Sequence, residues 1–241
     1  MNPRRKKLLQ STLIIGIGTL LSRILGMFRD AATAAMFGMS VGGIMDSFVM
    51  AFRLPDVTRR MFGEGSLSVG FIPVFTRLWN SDRQKAWVFT SVILTWFFVF
   101  LTILVVIGEI LCLLGILFFP YPSKVHIVSQ LLALLLPYLI LICLAAITAA
   151  SLQTLGEFSL PSQIPTILNL VWLLGILVIA PFFTKDPLYQ CFLLTGCILC
   201  AGFIQLGIQI PFLRRHGFVF HFQPKSVKNE LAEVKSSFSR P

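Results

Sequence analysis

Long apolar runs separated by short polar breaks set the organisation of this chain, and hydropathy places six of them as membrane spans. The first runs from about Leu8 to Phe28 and is interrupted by Arg23. The second is weak and Gly-rich, starting near Ala31 and continuing toward Phe75. Four strong runs follow, at about Trp87–Phe119, Ile127–Leu152, Leu160–Phe183 and Leu188–Leu213. Each is long enough to cross a bilayer, which takes about 20 mainly apolar residues. Past Arg214 the chain turns polar. Proline marks ends and bends: Pro120 and Pro122 close the third span, Pro161 and Pro165 open the fifth, and Pro55, Pro73, Pro137 and Pro211 lie within or near spans. Kinked helices persist in membranes where they pack in protein or line a cavity. Gly38 and Gly42 form a small-xxx-small pair that would admit a neighbouring helix.

Composition agrees. Of 241 residues, 56% are hydrophobic and 12% charged, against about 25% charged in a soluble domain. Mean hydropathy is +0.85. The expected class is an all-α membrane protein with a lobe at 1–213 and a basic segment at 214–241. The net charge of +10 would suggest nucleic acid in a soluble protein; here topology accounts for it. With the N-terminus inside, segments 1–7, 77–86, 153–159 and 214–241 hold 13 Lys and Arg, while the outer loops hold Lys124 and Lys185, plus Arg29 if it lies outside. That bias places both termini on the cytoplasmic side. The basic N-terminus followed by an apolar run mimics a signal peptide. Because Arg23, Arg29 and Asp30 interrupt the path to a small-x-small site, it reads as a retained first helix.

Catalytic chemistry finds little support. There is no Gly-rich phosphate loop, no H-E-x-x-H and no convincing nucleophile–base pair. Cys197-x-x-Cys200 has no second pair or histidine nearby in sequence, and all five cysteines read as buried, inert thiols. His126, His216 and His221 lie at span ends or in the tail. No cofactor and no metal are expected.

One stretch breaks the apolar pattern. Between Arg23 and Glu64 lie five arginines (Arg23, Arg29, Arg53, Arg59, Arg60) and four acids (Asp30, Asp46, Asp56, Glu64). A charge at mid-bilayer costs at least about 2.5–3.5 kcal/mol, so such residues face a wet cavity, pair, or sit at an interface. Asp46, Arg53 and Arg60 recur every seven residues, near one helical face. Asp56 is three after Arg53 and four before Arg60, and Glu64 is four after Arg60, which are ion-pair spacings. Arg23 and Arg29 come from the preceding helix, and a hairpin could bring the two sets together. The chemistry such a cluster serves is anion capture, because guanidinium binds phosphate through a planar fork and stays charged. The plainer alternative is structural: Arg–Asp pairs lock helices, and Arg59 and Arg60 snorkel to the interface. Glu109, alone in the third span, reads as a neutral or structurally bonded carboxyl.

The run Ser22-Arg23-Ile24-Leu25-Gly26-Met27-Phe28-Arg29-Asp30 is distinctive. After it come Phe37-Gly38, Asp46-Ser47-Phe48, Ala51-Phe52-Arg53-Leu54-Pro55, Arg59-Arg60-Met61-Phe62, Glu64-Gly65 and Phe71-Ile72-Pro73-Val74-Phe75. In order and spacing these blocks resemble the MurJ (MviN) family of lipid II flippases, within the multidrug/oligosaccharidyl-lipid/polysaccharide exporter superfamily. Pro137-Tyr138, Ser151-Leu152-Gln153, Pro161, Pro165-Thr166, Leu168-Asn169, Gln205 and Pro211 extend the resemblance over nearly the whole chain.

That resemblance implies six transmembrane helices forming one lobe of the superfamily fold, in the bacterial cytoplasmic (inner) membrane. It implies that undecaprenyl-pyrophosphoryl disaccharide-pentapeptide (lipid II) is moved from inner to outer leaflet by alternating access, linked to membrane potential and ions. Arg23, Arg29 and Arg59 match the family's cavity arginines and would hold the pyrophosphate. Asp46 matches its essential acid and would pair with one of them; Asp30, Arg53, Arg60 and Glu64 would support. Two departures stand out. Asp56 replaces the Asn common after Leu-Pro, and the chain has about half the family's length, so it looks like the first lobe only. A fragment, a split gene whose second lobe is a separate polypeptide, and a degenerate copy are all open. Beside the flippase stand two other readings: a non-transporting truncated membrane component, and an exporter of another cargo, which the arginine-rich cluster disfavours.

Overall fold

Each strong apolar run folds as a long helix whose ends are set by polar caps. The computed structural model describes residues 3–38, 43–60, 66–228 and 230–231, with side chains from residue 16 onward except at 59, 60, 66–69 and 225. Helix α1 spans Pro3–Phe37, α2 Ile44–Arg60, α3 Ser66–Ser81, α4 Arg83–Phe118 and α5 Lys124–Thr154. Helix α6 (Ser159–Leu174) passes through a wide turn at Gly175–Ile179 into α7 (Ala180–Phe183), and α8 spans Pro187–Arg215. Among the described residues all regular structure is helical.

Asp82 caps α4, its carboxylate accepting from the Gln84 and Lys85 amides at 2.9 and 3.1 Å. Ser123 caps α5 and Asp186 caps α8 in the same way, satisfying amides that have no partner inside the helix. Gly156 (φ +85°) and Gly217 (φ +84°) end α5 and α8. Each takes the left-handed conformation that lets the next amides return to the last-turn carbonyls, as in Phe218 N–H to Leu213 O at 3.1 Å.

Among the described residues four segments are long and apolar enough to cross a membrane: α4, α5, α6 through α7, and α8. They coincide with the third to sixth expected spans. The first two expected spans look different. Helix α1 is one 35-residue helix that runs through Arg23 and Arg29 without a break. The second span is divided between α2 and α3, and residues 61–65 between them lie outside the described residues. Helix α2 contains Pro55, and charge punctuates both α1 and α2.

Lipid tails are as apolar as leucine, so close fit rather than water exclusion holds these helices together. Small residues supply that fit. A Cβ at Gly108 would meet Leu136 at 2.9 Å, and one at Gly115 would overlap Ser129 Oγ, so α4 and α5 touch almost backbone to side chain. Gly38 plays no such part: its near neighbour is the Ala34 carbonyl of its own helix end, and Gly42 lies outside the described residues. One core unites Phe37, Phe48, Leu131, Tyr138, Trp172 and Ile198. A second, toward the α5 C-terminus, unites Phe75, Trp87, Phe89, Ile147, Leu213 and Val227. All five cysteines are free; Cys112, Cys143 and Cys191 are buried, but Cys197 is half-buried and Cys200 exposed, against the expectation that all five are buried.

Helix α1 lies along α6, and α2 lies along α5; α1 and α2 barely touch. That splay positions the site. The two arms leave hollows beside them, and Trp172 of α6 touches both.

Candidate functional site

Arg23 and Arg29 stand six residues apart on α1, about 9 Å along its axis. Both line one cavity of ≈ 650 Å³, walled by α1, the start of α6 and Gln153 at the end of α5. Arg23 is exposed and makes no ion pair with any described residue. Arg29 is held more firmly. Its Nε and Nη2 donate to Asp30 Oδ1 at 2.9 and 2.7 Å, and its Nη1 donates to Asn169 Oδ1 at 3.1 Å. Its guanidinium carbon lies 4.7 Å from the centre of the Trp172 ring, a cation–π contact. A guanidinium has five N–H donors; these contacts leave two on Arg29 for a ligand.

Asn169 and Trp172, one turn apart on α6, fix this arrangement. Asn169 Nδ2 donates to the Ser22 carbonyl at 2.9 Å, which orients its oxygen toward Arg29. Gly26 lies beside it, and a Cβ there would stand in ordinary contact with Asn169 Nδ2, at 3.6 Å. Trp172 Nε1 donates to Thr33 Oγ1 at 3.1 Å, and the Phe48 and Phe52 rings stand nearly perpendicular to its ring, with centroids at 5.5 and 4.8 Å. Trp172 therefore touches α1 and α2 at once.

On the far side of Arg29 lies a second hollow of ≈ 340 Å³, lined by Asp30, Thr33, Phe48, Arg53, Asp56 and Trp172, among others. Arg29 borders both hollows. Arg53 makes no ion pair with a described residue, and the lining of this hollow sets Arg29 and Arg53 against Asp30 and Asp56. Helices α1 and α2 meet where the Phe37 and Phe48 rings lie 6.4 Å apart, Trp172 touches both, and Arg29 of α1 and Arg53 of α2 line the same hollow.

Asp46 stands apart from the arginines. Its Oδ2 accepts from Lys124 Nζ at 3.0 Å, at the N-terminal ends of α2 and α5. The splay of α1 from α2 leaves Lys124, on the helix that α2 actually packs against, as the nearest cation. Asp46 also sits in the first turn of α2, where a negative charge complements the helix dipole. Arg59 and Arg60 belong to the last turn of α2, but their side chains lie outside the described residues, and Glu64 lies wholly outside them. Asp30 pairs with its neighbour Arg29 and remains 69% exposed.

Four residues of this arrangement escape a reading by charge alone. Asn169 and Gln153 were visible only inside motif blocks, Lys124 only as a loop charge, and Trp172 not at all. A signal existed for Trp172: Leu168, Asn169 and Trp172 share one α6 face at spacings of three and four, next to Pro165. Taken together, the site is a pair of hollows that share Arg29, in a helical unit with membrane-spanning segments. Guanidinium groups exceed the carboxylates seen to neutralise them, and the best-held arginine keeps donors free. Guanidinium groups of this kind are the side chains that bind phosphate or carboxylate through a planar fork.

A family model described as "Lipid II flippase MurJ" matches residues 33–240. Curated relatives agree. The chain is 32% identical over 213 residues to a probable lipid II flippase MurJ of Buchnera aphidicola subsp. Acyrthosiphon pisum, covering 86% of this chain and 40% of that protein. It is 37% identical over 177 residues to a probable lipid II flippase MurJ of Bdellovibrio bacteriovorus, covering 68% and 32%. It is 30% identical over 219 residues to a lipid II flippase MurJ of Burkholderia cenocepacia, covering 86% and 40%. The chain thus spans two-fifths or less of the length of these three relatives.

Proposed function

The chain belongs to the lipid II flippase MurJ family, and we propose that it forms the N-terminal six-helix lobe of a transporter, not an enzyme. The lobe carries lipid II across the bacterial inner membrane, with both termini on the cytoplasmic side. In this reading α1 is the first span, α2 and α3 form the second, and α4, α5, α6 with α7, and α8 complete the six. A further helical lobe, in the same polypeptide or a separate one, faces the hollows. Rocking of the two lobes then gives alternating access, as in transporters built from repeated bundles.

The observation that carries the proposal is the common cavity of Arg23 and Arg29. The diphosphate of the cargo enters beside Arg23, where Gln153 and Ser162 also line the wall. It then reaches Arg29, whose plane Trp172 and Asn169 hold. Charge-assisted hydrogen bonds of this kind contribute about 1.5–3 kcal/mol each, offsetting the desolvation of a charged headgroup. Arg59 adds a third cation from α2. Arg53, Arg60, Asp30 and Glu64 support the potential of the hollow, and the Asp46–Lys124 pair ties α2 to α5 at the opposite end in a gating role.

The test is growth of cells depleted of their own lipid II flippase, in any background where the unsubstituted lobe, expressed with a second lobe, supports growth. Arg23→Ala, Arg29→Ala and Arg59→Ala are each expected to abolish growth while the protein persists in the membrane. Normal growth of all three variants would overturn the assignment.

A further inference from the structure

A further groove shares no lining residue with the two hollows of the site. It has a volume of ≈ 740 Å³ and is formed by stripes of α4, α5 and α8 together with the chain that follows α8. Leu206, Ile210, Leu213 and Arg214 supply the α8 stripe, at the offsets of zero, four, seven and eight residues that share one helical face. The groove therefore follows the last two turns of a membrane span and opens at its basic end.

Its outer wall is built rather than incidental. Gly217 turns the chain back, and Phe218 N–H bonds the Leu213 carbonyl at 3.1 Å. Trp87 Nε1 holds the His216 carbonyl at 3.3 Å, the His221 amide reaches Ser91 Oγ at 3.3 Å, and the Phe218 ring packs edge-on against Trp87 at 5.3 Å. The polar groups inside are already satisfied. Thr95 Oγ1 donates to the Ser91 carbonyl at 2.8 Å, and Thr148 Oγ1 to Gln209 Oε1 at 2.8 Å. Along its length the groove asks only for apolar filling.

At the mouth the demand reverses. Arg214 lines the groove, is exposed, and makes no ion pair among the described residues. Arg215 stands beside it, over the Phe212 ring. The nearby carboxylate of Glu157 faces His216 at 3.7 Å instead. An apolar trough ending on a guanidinium with no ion pair among the described residues matches an amphiphile with a long hydrocarbon chain and a phosphate. The volume falls within the range of about 300–1,000 Å³ typical of ligand sites.

We propose that this groove is a binding site for one anionic diacyl phospholipid, an acyl chain lying between α4, α5 and α8 and the phosphate on Arg214. The site is distinct from the cargo cavity, shares no lining residue with it, and stands whether or not the cargo is lipid II. It fastens the end of α8 and the returning chain to the leaflet in which anionic lipids attract basic segments.

The experiment is native mass spectrometry of the 241-residue chain, titrated in detergent with phosphatidylglycerol or phosphatidylcholine of identical acyl chains. The unsubstituted chain is expected to retain one phosphatidylglycerol, with a preference of roughly fivefold over phosphatidylcholine, as one guanidinium beside an anionic headgroup contributes. Arg214→Gln, at an exposed position, is expected to remove the preference while leaving phosphatidylcholine retention unchanged. Ile210→Trp is expected to fill the trough and lose both lipids. Equal retention of the two lipids by the unsubstituted chain, or a preference that survives Arg214→Gln, would overturn the site. So would displacement of phosphatidylglycerol by equimolar undecaprenyl phosphate, which would assign the groove to a polyprenyl chain.

Discussion

Trp172 and Asn169 make the arrangement of the arginines specific. A guanidinium on an otherwise apolar helix could swing through a wide arc; Arg29 is confined by a ring beneath it and an amide oxygen beside it. Trp172 also carries packing from both arms and is almost fully buried. Replacing it by Ala is expected to cost about 3–5 kcal/mol, the usual result of emptying a large aromatic site. Trp172→Phe keeps most of the ring, loses the bond to Thr33, and is expected to cost about 0.5–1.5 kcal/mol. Denaturant unfolding in micelles, followed by helical circular dichroism, reads both. An Ala variant as stable as the parent would show that the ring does not join the arms. At this scale the sequence was legible where residues carry charge, because charge in an apolar context is costly and therefore conspicuous. It was not legible for Trp172, since an aromatic on an apolar face looks like any other lipid-facing or core residue until its neighbours are known.

At the scale of elements, α4 and α5 are the backbone of the lobe, and Gly108 and Gly115, seven residues apart, set how closely they approach. Gly115→Ala places a methyl against Ser129, and Gly108→Ala presses on Leu136. Overpacking of this kind costs about 1–3 kcal/mol. The Gly115 variant is expected to suffer more, because Ser129 is a short side chain on the α5 backbone while Leu136 has a flexible end that can turn away. A lower unfolding midpoint for Gly115→Ala than for Gly108→Ala checks this; two unaffected midpoints would mean that the helices are not in close contact. The four apolar helices were readable nearly to their ends, because hydropathy marks the run, while the caps at Asp82, Ser123 and Asp186 that fix three of the starts came from the structure. The first two spans were harder. Arginine does not break a helix, since the backbone bonds of α1 close whatever its side chains carry, so Arg23 was no interruption. The division between α2 and α3 had only Pro55, Pro73 and a run of charge to announce it. Which helix packs on which could not be read at all. Hydropathy measures partition into lipid residue by residue, whereas the pairing of α1 with α6 and α2 with α5 depends on fit between surfaces.

Across the whole molecule, the segment after α8 is tied down separately from the long apolar helices. The chain beyond α8 returns to α3 and α4, where Val227 is fully buried and Lys85 Nζ bonds Glu230 Oε1 at 2.7 Å. The hydrogen bond from Lys85 holds the Glu230 carboxyl below its ordinary value of 4.5, with Lys85 and Arg77 charges adding to the effect and partial burial opposing it. A carboxyl whose pKa is depressed in the folded state contributes stability above its unfolded pKa and loses it as pH falls through the folded one. The segment around Glu230 is therefore expected to stay docked at neutral pH and to release as pH drops below 4.5. Glu230→Gln should exchange faster at neutral pH and lose that acid dependence. Hydrogen exchange of residues 218–231 measures it, and a pH-independent pattern in the parent chain would contradict the docking.

The cargo cavity is the claim on which the functional account stands, and diphosphate binding tests it most directly. The 241-residue chain in nanodiscs would be titrated with undecaprenyl pyrophosphate, beside Arg23→Ala, Arg29→Ala and Arg29→Lys. The expected result is saturable binding by the unsubstituted chain, weakened at least about tenfold by either Ala substitution, as loss of a charge-assisted contact implies. Arg29→Lys should fall between, since lysine keeps the charge but not the fork. Equal affinity across all four proteins would contradict the account.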